Sequence, residues 1–534
     1  MGRGIFIRLL LAAVLAVASV TDSARAQNII EVGPRPSDVP PKQVPPGGFP
    51  REGGSSNHGN NNKAVWYVVG GVAAVVVGWV IGTQVFKPDA PPRIDRSPDI
   101  PPLQPISLPP PGQTPPGRGL GKQGNQGNQG NQGNQANQGG PATLRNGFNL
   151  PPLGETRFVQ DEVMLDIPSS VPTATLNAIA ARHGMTRLET QTIRLTGRTL
   201  HRWRLDPGTT VPDMIRALAR EQQVAGGQPL YLFDLAQDMS GSTASLVNGD
   251  QYAPEKLGLT EAHRLATGNR VLVAVIDSGV DASHPDLADA VVANLDAAND
   301  NAPHAHGTGM AGAIAAHRSM LGTAPRVGLL TVRAFSVRPN SADGTTFNII
   351  KGLDWAVERG ARVINMSFAG PSDPRLRDAL ARVAKRGVVL VAAAGNAGPQ
   401  SPPLFPAADP NVIAVTATDV DDKLFSGANR GNHIAVAAPG VDILAPSTGG
   451  TYQFTTGTSV ASAQVSGVVA LLLERNPSLT PADIRRILTR TAKAVGPRGG
   501  ERDYGSGLVD AYQAVSSARS SGATAAAAAK TKTK

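Results

Sequence analysis

Cysteine is absent from this chain of 534 residues, and aromatic residues make up only 4% of it. The lack of cysteine excludes disulfide bonds and thiolate metal sites, although it does not identify the compartment. The low aromatic content matches an N-terminal third that is largely linker-like. Apolar residues still form 41% of the chain, so a substantial core can fold, and the length predicts a few domains.

Neither sign of charge is concentrated in one place. Lys and Arg number 50 against 41 Asp and Glu, which gives a net charge of +9. The excess is scattered, and no basic helix or aromatic-basic sheet pattern appears, so nucleic acid is not predicted as a partner. No run of oxygen ligands stands out either, so we assign no metal-binding residue and predict no cofactor.

The N-terminus has the pattern of an export signal. Arg3 and Arg8 precede an apolar run at residues 9–20, and residues 24–26 (Ala-Arg-Ala) match the small-x-small cleavage pattern. We therefore assign residues 1–26 as a signal peptide.

The next segments have little capacity to form a core. Residues 27–63 are rich in Pro, Gly and Asn, and residues 87–154 are Pro-rich and then repeat Gly-Asn-Gln, which predicts a flexible linker. Between them, residues 64–86 carry no charge and are long enough to span a bilayer, so we predict a transmembrane helix. The tail at 519–534 is predicted to be disordered.

The two apolar segments allow two topologies. If the first is removed and the second stops transfer, the rest of the chain faces the cytoplasm; if the second is too weak to stop transfer, the rest is exported. Residues 64–86 contain valine but no leucine, together with four glycines and Gln84. We favour export with membrane association, in the periplasm or at the cell surface, and the cytoplasmic orientation stays open as the alternative.

Four short motifs downstream carry the chemistry. Asp277 ends an apolar run, His306 opens a Gly-rich helical segment, Asn396 follows a second apolar run, and Ser459 opens another helical segment. Acyl transfer by an activated hydroxyl needs these four groups. The order acid, base, nucleophile separates this arrangement from the other common serine-hydrolase orders.

Each residue type has a chemical reason. A serine hydroxyl needs a neighbouring base to take its proton, and histidine titrates near neutral pH. A carboxylate on the far ring nitrogen fixes the tautomer. One oxyanion donor is worth about 3–4 kcal/mol of barrier. We assign Ser459 as nucleophile, His306 as base, Asp277 as orienting acid and Asn396 as oxyanion donor, with the Ser459 backbone N–H as the second donor.

Taken singly, these residues also have ordinary interpretations as helix caps or turn residues. Two neighbouring histidines are interpreted structurally: His304 as a loop residue, and His284 as a residue that orients the loop after Asp277. The four motifs together, in the correct order, make the ordinary interpretation of each one much less probable than the catalytic one.

At these motifs the chain resembles the subtilisin-like serine proteases, or subtilases, over residues 252–518. The resemblance implies the catalytic roles just assigned. Two departures occur: Gly309 stands where the family has a second histidine, and residues 462–464 (Ser-Ala-Gln) replace the usual Thr-Pro-His. Neither departure replaces a catalytic group.

The intervening sequence predicts an α/β fold with a doubly wound, mostly parallel sheet and helices on both faces. The reactive groups then lie at the carboxyl ends of the strands. The predicted strands are 271–276, 327–332, 363–366, 388–392 and 412–415, and the predicted helices lie near 307–317, 345–359 and 373–386.

The resemblance also implies a substrate pocket. Its walls and floor would be formed by three segments, which contain Ser367, Phe368, Ala369 and Gly370; Ala394 and Gly395; and Leu404. Ala369 and Leu404 stand where the family often has glycine, so added volume predicts a preference for small residues before the cut bond. The alternative is that Leu404 turns into the core.

Residues 155–236 predict a second folded unit, a small α+β (ferredoxin-like) sandwich with two helices on an antiparallel sheet. It resembles the inhibitory propeptides of subtilases, whose last strand enters the active site. The alternative is an unrelated accessory domain. Residues 237–251 are the predicted processing linker between this unit and the peptidase domain.

The sequence therefore predicts a serine endopeptidase acting on proteins or peptides and restrained by its own propeptide-like unit. Two other classes stay open: a surface-anchored binding or structural protein that retains an inactive subtilase fold, and a processing protease with one native target. The resemblance further implies calcium as a structural ion, with its sites unassigned.

Overall fold

The computed structural model describes residues 144–235, 243–244, 251–300, 302–338 and 341–518. The predicted signal peptide (1–26), the segments at 27–63 and 64–86, and the tail at 519–534 lie outside these residues. Among the described helices, none combines the length and apolar character needed to cross a membrane.

The helices in chain order are α1 Thr173–His183, α2 Val211–Leu218, α3 Ala253–Lys256, α4 Leu259–Ala262, α5 Ala305–Ala315, α6 Thr346–Glu358, α7 Pro374–Lys385, α8 Thr458–Arg475, α9 Pro481–Thr491, α10 Glu501–Tyr504 and α11 Ala511–Ser517. The strands are β1 Phe158–Asp166, β2 Met185–Ile193, β3 Arg198–Leu205, β4 Gly226–Leu235, β5 Thr243–Ala244, β6 Leu272–Asp277, β7 Val291–Asp296, β8 Gly328–Arg333, β9 Phe335–Arg338, β10 Ser341–Thr345, β11 Val363–Met366, β12 Phe368–Ala369, β13 Val389–Ala393, β14 Val412–Thr418, β15 Ile434–Pro439, β16 Ile443–Pro446 and β17 Tyr452–Thr455.

The core of the larger unit is a parallel sheet in the order β15-β14-β13-β11-β6-β8-β7. Every neighbouring pair in it is parallel. Strands covered on both faces read as continuous apolar runs, which is why the sequence predicted β6, β8, β11, β13 and β14. The predicted α/β fold is confirmed, and β7 and β15 extend the sheet at its two edges.

Helices cover both faces of this sheet, because alternate strand residues point to opposite sides. Val273 and Val275 of β6 join one apolar cluster with α5 and α8. Ala274 and Ile276 join the other, with α6 and α7. Helix α8 runs through the middle of its layer and is buried from Thr458 to Leu473.

The N-terminal unit has the element order βαββαβ, with β1, β2, β3 and β4 in an antiparallel sheet of order β2-β3-β1-β4. This is the ferredoxin-like arrangement that the sequence indicated. Strand β2 was not predicted, because it is mostly polar and only its two end residues are buried. Phe148, which precedes the predicted unit, is buried in the same apolar cluster.

Strand β4 belongs to both units. Its first part pairs with β1, and its last part, from Leu232 to Leu235, pairs with β10 and β12 of the larger unit. The N-terminal unit therefore extends its final strand over the carboxyl edge of the parallel sheet.

Polar contacts fix the same interface. Gln228 Nε2 donates to Asp373 Oδ1 at 2.9 Å. Asp354 Oδ1 accepts the backbone N–H of Leu195 at 2.6 Å. Asp373 is fully buried at the start of α7, where it also accepts two backbone N–H groups. Removing the N-terminal unit would leave Asp373 without the contact from Gln228.

Candidate active site

Asp277 and His306 form the first pair of the candidate site. Asp277 is the last residue of β6, and His306 is the second residue of α5. The His306 Nδ1 atom lies 2.6 Å from Asp277 Oδ1, and both side chains are buried. Because a carboxylate can only accept, Nδ1 carries the hydrogen and Nε2 is left as the basic nitrogen.

Ser459 is the second residue of α8. Its hydroxyl donates to the backbone carbonyl of Ser367 at 3.2 Å. Ser367 directly follows β11, whose register with β6 pairs Met366 with Ile276. Adjacent strands lie about 4.8 Å apart, so the ends of β6 and β11 bring the hydroxyl close to the Asp277–His306 pair.

No hydrogen bond joins the Ser459 hydroxyl to His306 Nε2 in this structure. His306 Nε2 is buried and has no hydrogen-bond partner among the described residues, while the Ser459 hydroxyl is directed to the Ser367 carbonyl. Catalytic hydrogen bonds often tighten only when substrate is bound.

Asn396 is held beside the start of α8. Its Oδ1 atom accepts from the backbone N–H of Thr458 at 3.1 Å and from the Thr458 hydroxyl at 2.8 Å. The Thr458 hydroxyl in turn accepts from the N–H of Gly395 at 3.1 Å. These contacts fix the carboxamide with its Oδ1 toward Thr458 and its Nδ2 on the opposite branch. The Ser459 N–H, in the first turn of the helix, cannot be used inside the helix.

The turn into α8 depends on glycine. Gly457 has φ 153°, a value that side-chain-bearing residues rarely adopt, and its N–H donates to the Gly440 carbonyl at 2.8 Å. This backbone path delivers Thr458 and Ser459 to the first turn.

A buried polar network that sequence reasoning missed lies against Ser459. Asn365 Nδ2 donates to the Ser367 hydroxyl at 2.8 Å, and Ser466 Oγ donates to Asn365 Oδ1 at 3.0 Å. Ser462 Oγ contacts the Ser459 carbonyl at 2.8 Å. The available signal was a polar residue inside the apolar strand 363–366, opposite hydroxyls spaced four apart on α8.

His304 lies in the loop before α5, as the sequence predicted. His304 is the N-cap of α5, and its Nδ1 accepts from the backbone N–H of His306 at 3.3 Å. Its pKa is lowered from the ordinary histidine value, chiefly by burial and then by the nearby His306. His284 has the structural role expected of it, since its Nδ1 accepts from the Asp286 N–H at 3.1 Å.

The two departures from the family motif lie in structural positions. Gly309 lies against β16, where an added Cβ would come within 3.5 Å of Ala445. Gln464 Nε2 donates to the Pro439 carbonyl at 3.1 Å. Among the residues that the structure describes, neither Gly309 nor Gln464 forms a hydrogen bond with Asp277 or His306.

The residues predicted to line the substrate pocket come together. Gly370 exchanges two backbone hydrogen bonds with Phe405, at 2.8 and 3.0 Å, and Phe405 directly follows Leu404. A Cβ on Gly395 would lie 3.3 Å from Leu404 Cδ1. The Leu404 side chain therefore packs against the wall that contains Ala394 and Gly395, and only 9% of the residue is exposed.

Strand β4 occupies the groove between β10 and β12. In the antiparallel register, Leu235 pairs with Phe368, and Asp234 pairs with both Ala369 and Asp343. Phe233 is fully buried, with its ring 5.9 Å from that of Phe368.

The segment that follows β4 also pairs with the larger unit. Strand β5 pairs with β17 through Ala244 and Tyr452 and through Thr243 and Gln453. Strand β17 ends at Thr455, four residues before Ser459. Residues on both sides of 236–242 therefore pair with strands that flank the Ser459 helix.

The metal prediction can be compared only in part. Among the described residues, no group of three or more His, Cys, Asp or Glu side chains is arranged to hold a metal ion. The sites for a structural calcium ion stay unassigned.

Comparisons with known proteins agree with this geometry. The sequence model of the Subtilase family matches residues 268–507. Thermitase from Thermoactinomyces vulgaris is 37% identical over 274 residues, which are 50% of this chain and 95% of thermitase. The chain belongs to the subtilase family. It is accordingly a subtilisin-like serine endopeptidase, as the sequence predicted.

Other subtilases give the same result over shorter shares of their length. Subtilisin E from Bacillus subtilis (strain 168) is 38% identical over 260 residues, 46% of this chain and 66% of that protein. The crystal structure of fervidolysin from Fervidobacterium pennivorans, described as a keratinolytic enzyme related to subtilisin, has a TM-score of 0.58 at 26% identity. That match covers 69% of this subtilase and 62% of the fervidolysin chain.

Proposed function

We propose that this subtilase hydrolyses peptide bonds through an acyl-enzyme on Ser459, and that it is made as an exported precursor restrained by its own N-terminal unit. The observation that carries the catalytic part is the 2.6 Å bond between His306 Nδ1 and Asp277 Oδ1, at the strand edge where the Ser367 carbonyl holds the Ser459 hydroxyl.

The proposed chemistry begins when Ser459 Oγ turns from the Ser367 carbonyl to His306 Nε2. His306 takes the hydroxyl proton as Oγ attacks the substrate carbonyl, and Asp277 stabilises the imidazolium. The developing oxyanion accepts hydrogen bonds from Asn396 Nδ2 and the Ser459 N–H. His306 then gives its proton to the leaving amine, and water releases the acyl group by the same steps in reverse.

Restraint by the N-terminal unit is supported by the position of β4. Its residues Leu232 to Leu235 fill the groove between β10 and β12 with backbone hydrogen bonds. An extended peptide substrate would have to pair with the same two strands, so β4 and substrate compete for one site.

Self-processing is supported by the two anchored sides of the linker. Leu235 pairs with Phe368 on one side, and Thr243 pairs with Gln453 on the other. We place the cut bond directly after Ala236, because Leu235 pairs with the residue that follows Ser367 in the chain. This bond divides the predicted 155–236 unit from the 237–251 linker.

A preference for small residues before the cut bond is supported by Leu404. Its side chain is buried beside Gly395, where it would reduce the space next to the pocket wall. Ala236, the residue before the proposed self-cleavage bond, is itself small.

Export and membrane association remain proposals that rest on residues 1–26 and 64–86. The side of the membrane can be tested by protease accessibility of the enzyme in intact and permeabilised cells. Degradation only after permeabilisation of the cytoplasmic membrane would favour the cytoplasmic orientation.

The catalytic proposal is tested by labelling with a fluorophosphonate probe. The matured enzyme should be labelled, and Ser459→Ala should lose the label while keeping its fold. Absence of labelling in the wild-type enzyme would favour the inactive binding protein. Labelling combined with failure to hydrolyse casein would favour a processing protease with one native target.

A further inference from the structure

His304 lies outside the proposed triad but is bonded to two of its members through neighbouring groups. We propose that neutral His304 is a positioning residue, which holds His306 in place by accepting its backbone N–H, and that this support is lost when His304 gains a proton. The inference rests on the triad assignment made under Proposed function.

The contacts close a ring of four residues. Asp277 Oδ1 lies 3.0 Å from Ser278 Oγ, and Ser278 Oγ lies 2.9 Å from His304 Nδ1. His304 Nδ1 accepts from the backbone N–H of His306 at 3.3 Å, and the His306 ring returns to Asp277 Oδ1 at 2.6 Å. His304 thus contacts the backbone of the base directly. The single hydroxyl hydrogen of Ser278 can bond to His304 Nδ1 or to Asp277 Oδ1, but not to both.

The ring needs His304 to be neutral. An imidazole nitrogen that accepts from an N–H must carry a lone pair, so the His304 hydrogen resides on Nε2. A second proton converts Nδ1 to a donor. It can then no longer cap the N–H of His306, and it can only donate to Ser278 Oγ, whose own hydrogen must turn to Asp277.

The added charge would also oppose catalysis directly. His306 becomes an imidazolium during the proposed reaction, and a cationic His304 beside it disfavours that state. Both consequences, the lost cap and the added charge, lower the rate.

The surrounding groups place this event in the acid range. Burial, His306 and Arg333 oppose protonation of His304, whereas Asp277 and Asp300 favour it, and the net result is a pKa below the ordinary value of 6.5. The support from neutral His304 is therefore present above 6.5 and is lost as the pH falls through the lowered pKa.

The experiment measures the second-order rate of fluorophosphonate labelling of the matured enzyme against pH, per active site. In the wild-type enzyme we expect the acid limb of this profile to fall with two protons, one of which is bound by His304. In His304→Asn the limb should fall with one proton. Because Asn is a strong N-cap residue that does not titrate, its rate at pH 8 should stay within about threefold of wild type.

Two further variants make the result decisive. His304→Ser also places a non-titrating N-cap residue at this position, and it should likewise give a one-proton limb; it serves if His304→Asn does not fold. His433→Asn is the matched control, because His433 is a half-buried histidine whose pKa is likewise lowered by burial. It should keep the two-proton limb.

Three results would overturn the inference: a one-proton limb in the wild-type enzyme, an unchanged limb in both His304→Asn and His304→Ser, or an equal change in His433→Asn. In each of these cases labelling at pH 8 still depends on Ser459. If the triad itself were wrong, that dependence would be absent, so the two failures are distinguishable.

Discussion

The ring of Phe233, from the last strand of the N-terminal unit, packs edge-to-face on Phe368 of the larger unit, with 5.9 Å between their centroids. Phe335 also contacts Phe368, with the ring centroids 5.1 Å apart and the ring planes at 47° to each other. Gly370 leaves room for this contact, since a Cβ there would lie 2.4 Å from Phe233 Cδ1. Phe233 is thus the main apolar anchor of β4 in the groove.

Phe233→Ala should weaken the hold of β4. Truncating a buried phenylalanine typically costs about 3–5 kcal/mol. We expect a smaller fraction of the N-terminal unit to remain bound after processing, and proteolytic activity to appear sooner. Size-exclusion chromatography and a peptide assay measure the two effects. Phe158→Ala is the matched control, because Phe158 packs on Tyr231 within the N-terminal unit, with centroids 6.4 Å apart. Equal activation by both variants would contradict the anchoring role.

Ser459→Ala should leave the junction after Ala236 intact. In the wild-type precursor, mass spectrometry should find Gln237 at the new N-terminus. The rate of cleavage should not change when the precursor is diluted, because both sides of the linker pair with the same molecule. Ser478→Ala, on a loop that follows α8, should process normally. A rate that rises in proportion to concentration would show cleavage between molecules instead.

Leu404→Gly should widen the pocket before the cut bond. The gain in kcat/KM for a Phe substrate over an Ala substrate should be at least about 10-fold, the effect of a methylene or more in an apolar pocket. Peptides that differ only at this position measure the ratio. Ala369→Gly tests the other widened position. A wild-type enzyme that already cleaves faster after Phe or Leu than after Ala would rule out the small-residue preference.

Asp234→Asn should stabilise the precursor at neutral pH. Asp234 lies opposite Asp343 across β4 and β10, and its pKa is raised by burial and then by Asp343, against the effect of Arg157. A raised carboxyl pKa means that stability is fully present below the ordinary value of 3.8 and declines as the pH rises through the raised value. Like charges opposite each other across strands cost about 0.2–1 kcal/mol.

The measurement is the Tm of the Ser459→Ala precursor with and without Asp234→Asn. We expect the two to agree near pH 4 and the Asn variant to melt higher at pH 7. Asp161→Asn, at an exposed carboxylate of the same unit, should show no such difference. A lower Tm for the Asp234 variant at pH 7 would mean that the charged carboxylate has a stabilising partner.

The sequence predicted the strands and site residues best where a buried apolar run lies next to a recognisable motif. β6, β11 and β13 are buried on both faces, so their apolar runs were visible, and Asp277 and Asn396 follow such runs directly. Ser459 and His306 begin helices within recognisable motifs. For these residues, local sequence and tertiary position carry the same information.

Sequence patterns did not predict the elements whose conformation depends on tertiary contacts. β10, with the sequence Ser-Ala-Asp-Gly-Thr, has almost no strand propensity and is a strand because β4 and β9 pair with it. β2 is polar because one edge of a small unit faces solvent. The contact between His304 and Ser278 joins residues that are 26 apart in the chain, and periodicity cannot reveal such a contact.

Strand β4 pairs with β1 in the N-terminal unit and with β10 and β12 in the larger unit. Cleavage of the chain downstream of Leu235 would therefore remove a covalent bond but none of these strand pairings. The proposed restraint of the enzyme by the N-terminal unit would therefore persist after cleavage. The delay before free protease appears would be set by the rate at which the folded N-terminal unit dissociates or is degraded. The rate of peptide-bond cleavage would set only the earliest time at which dissociation can begin.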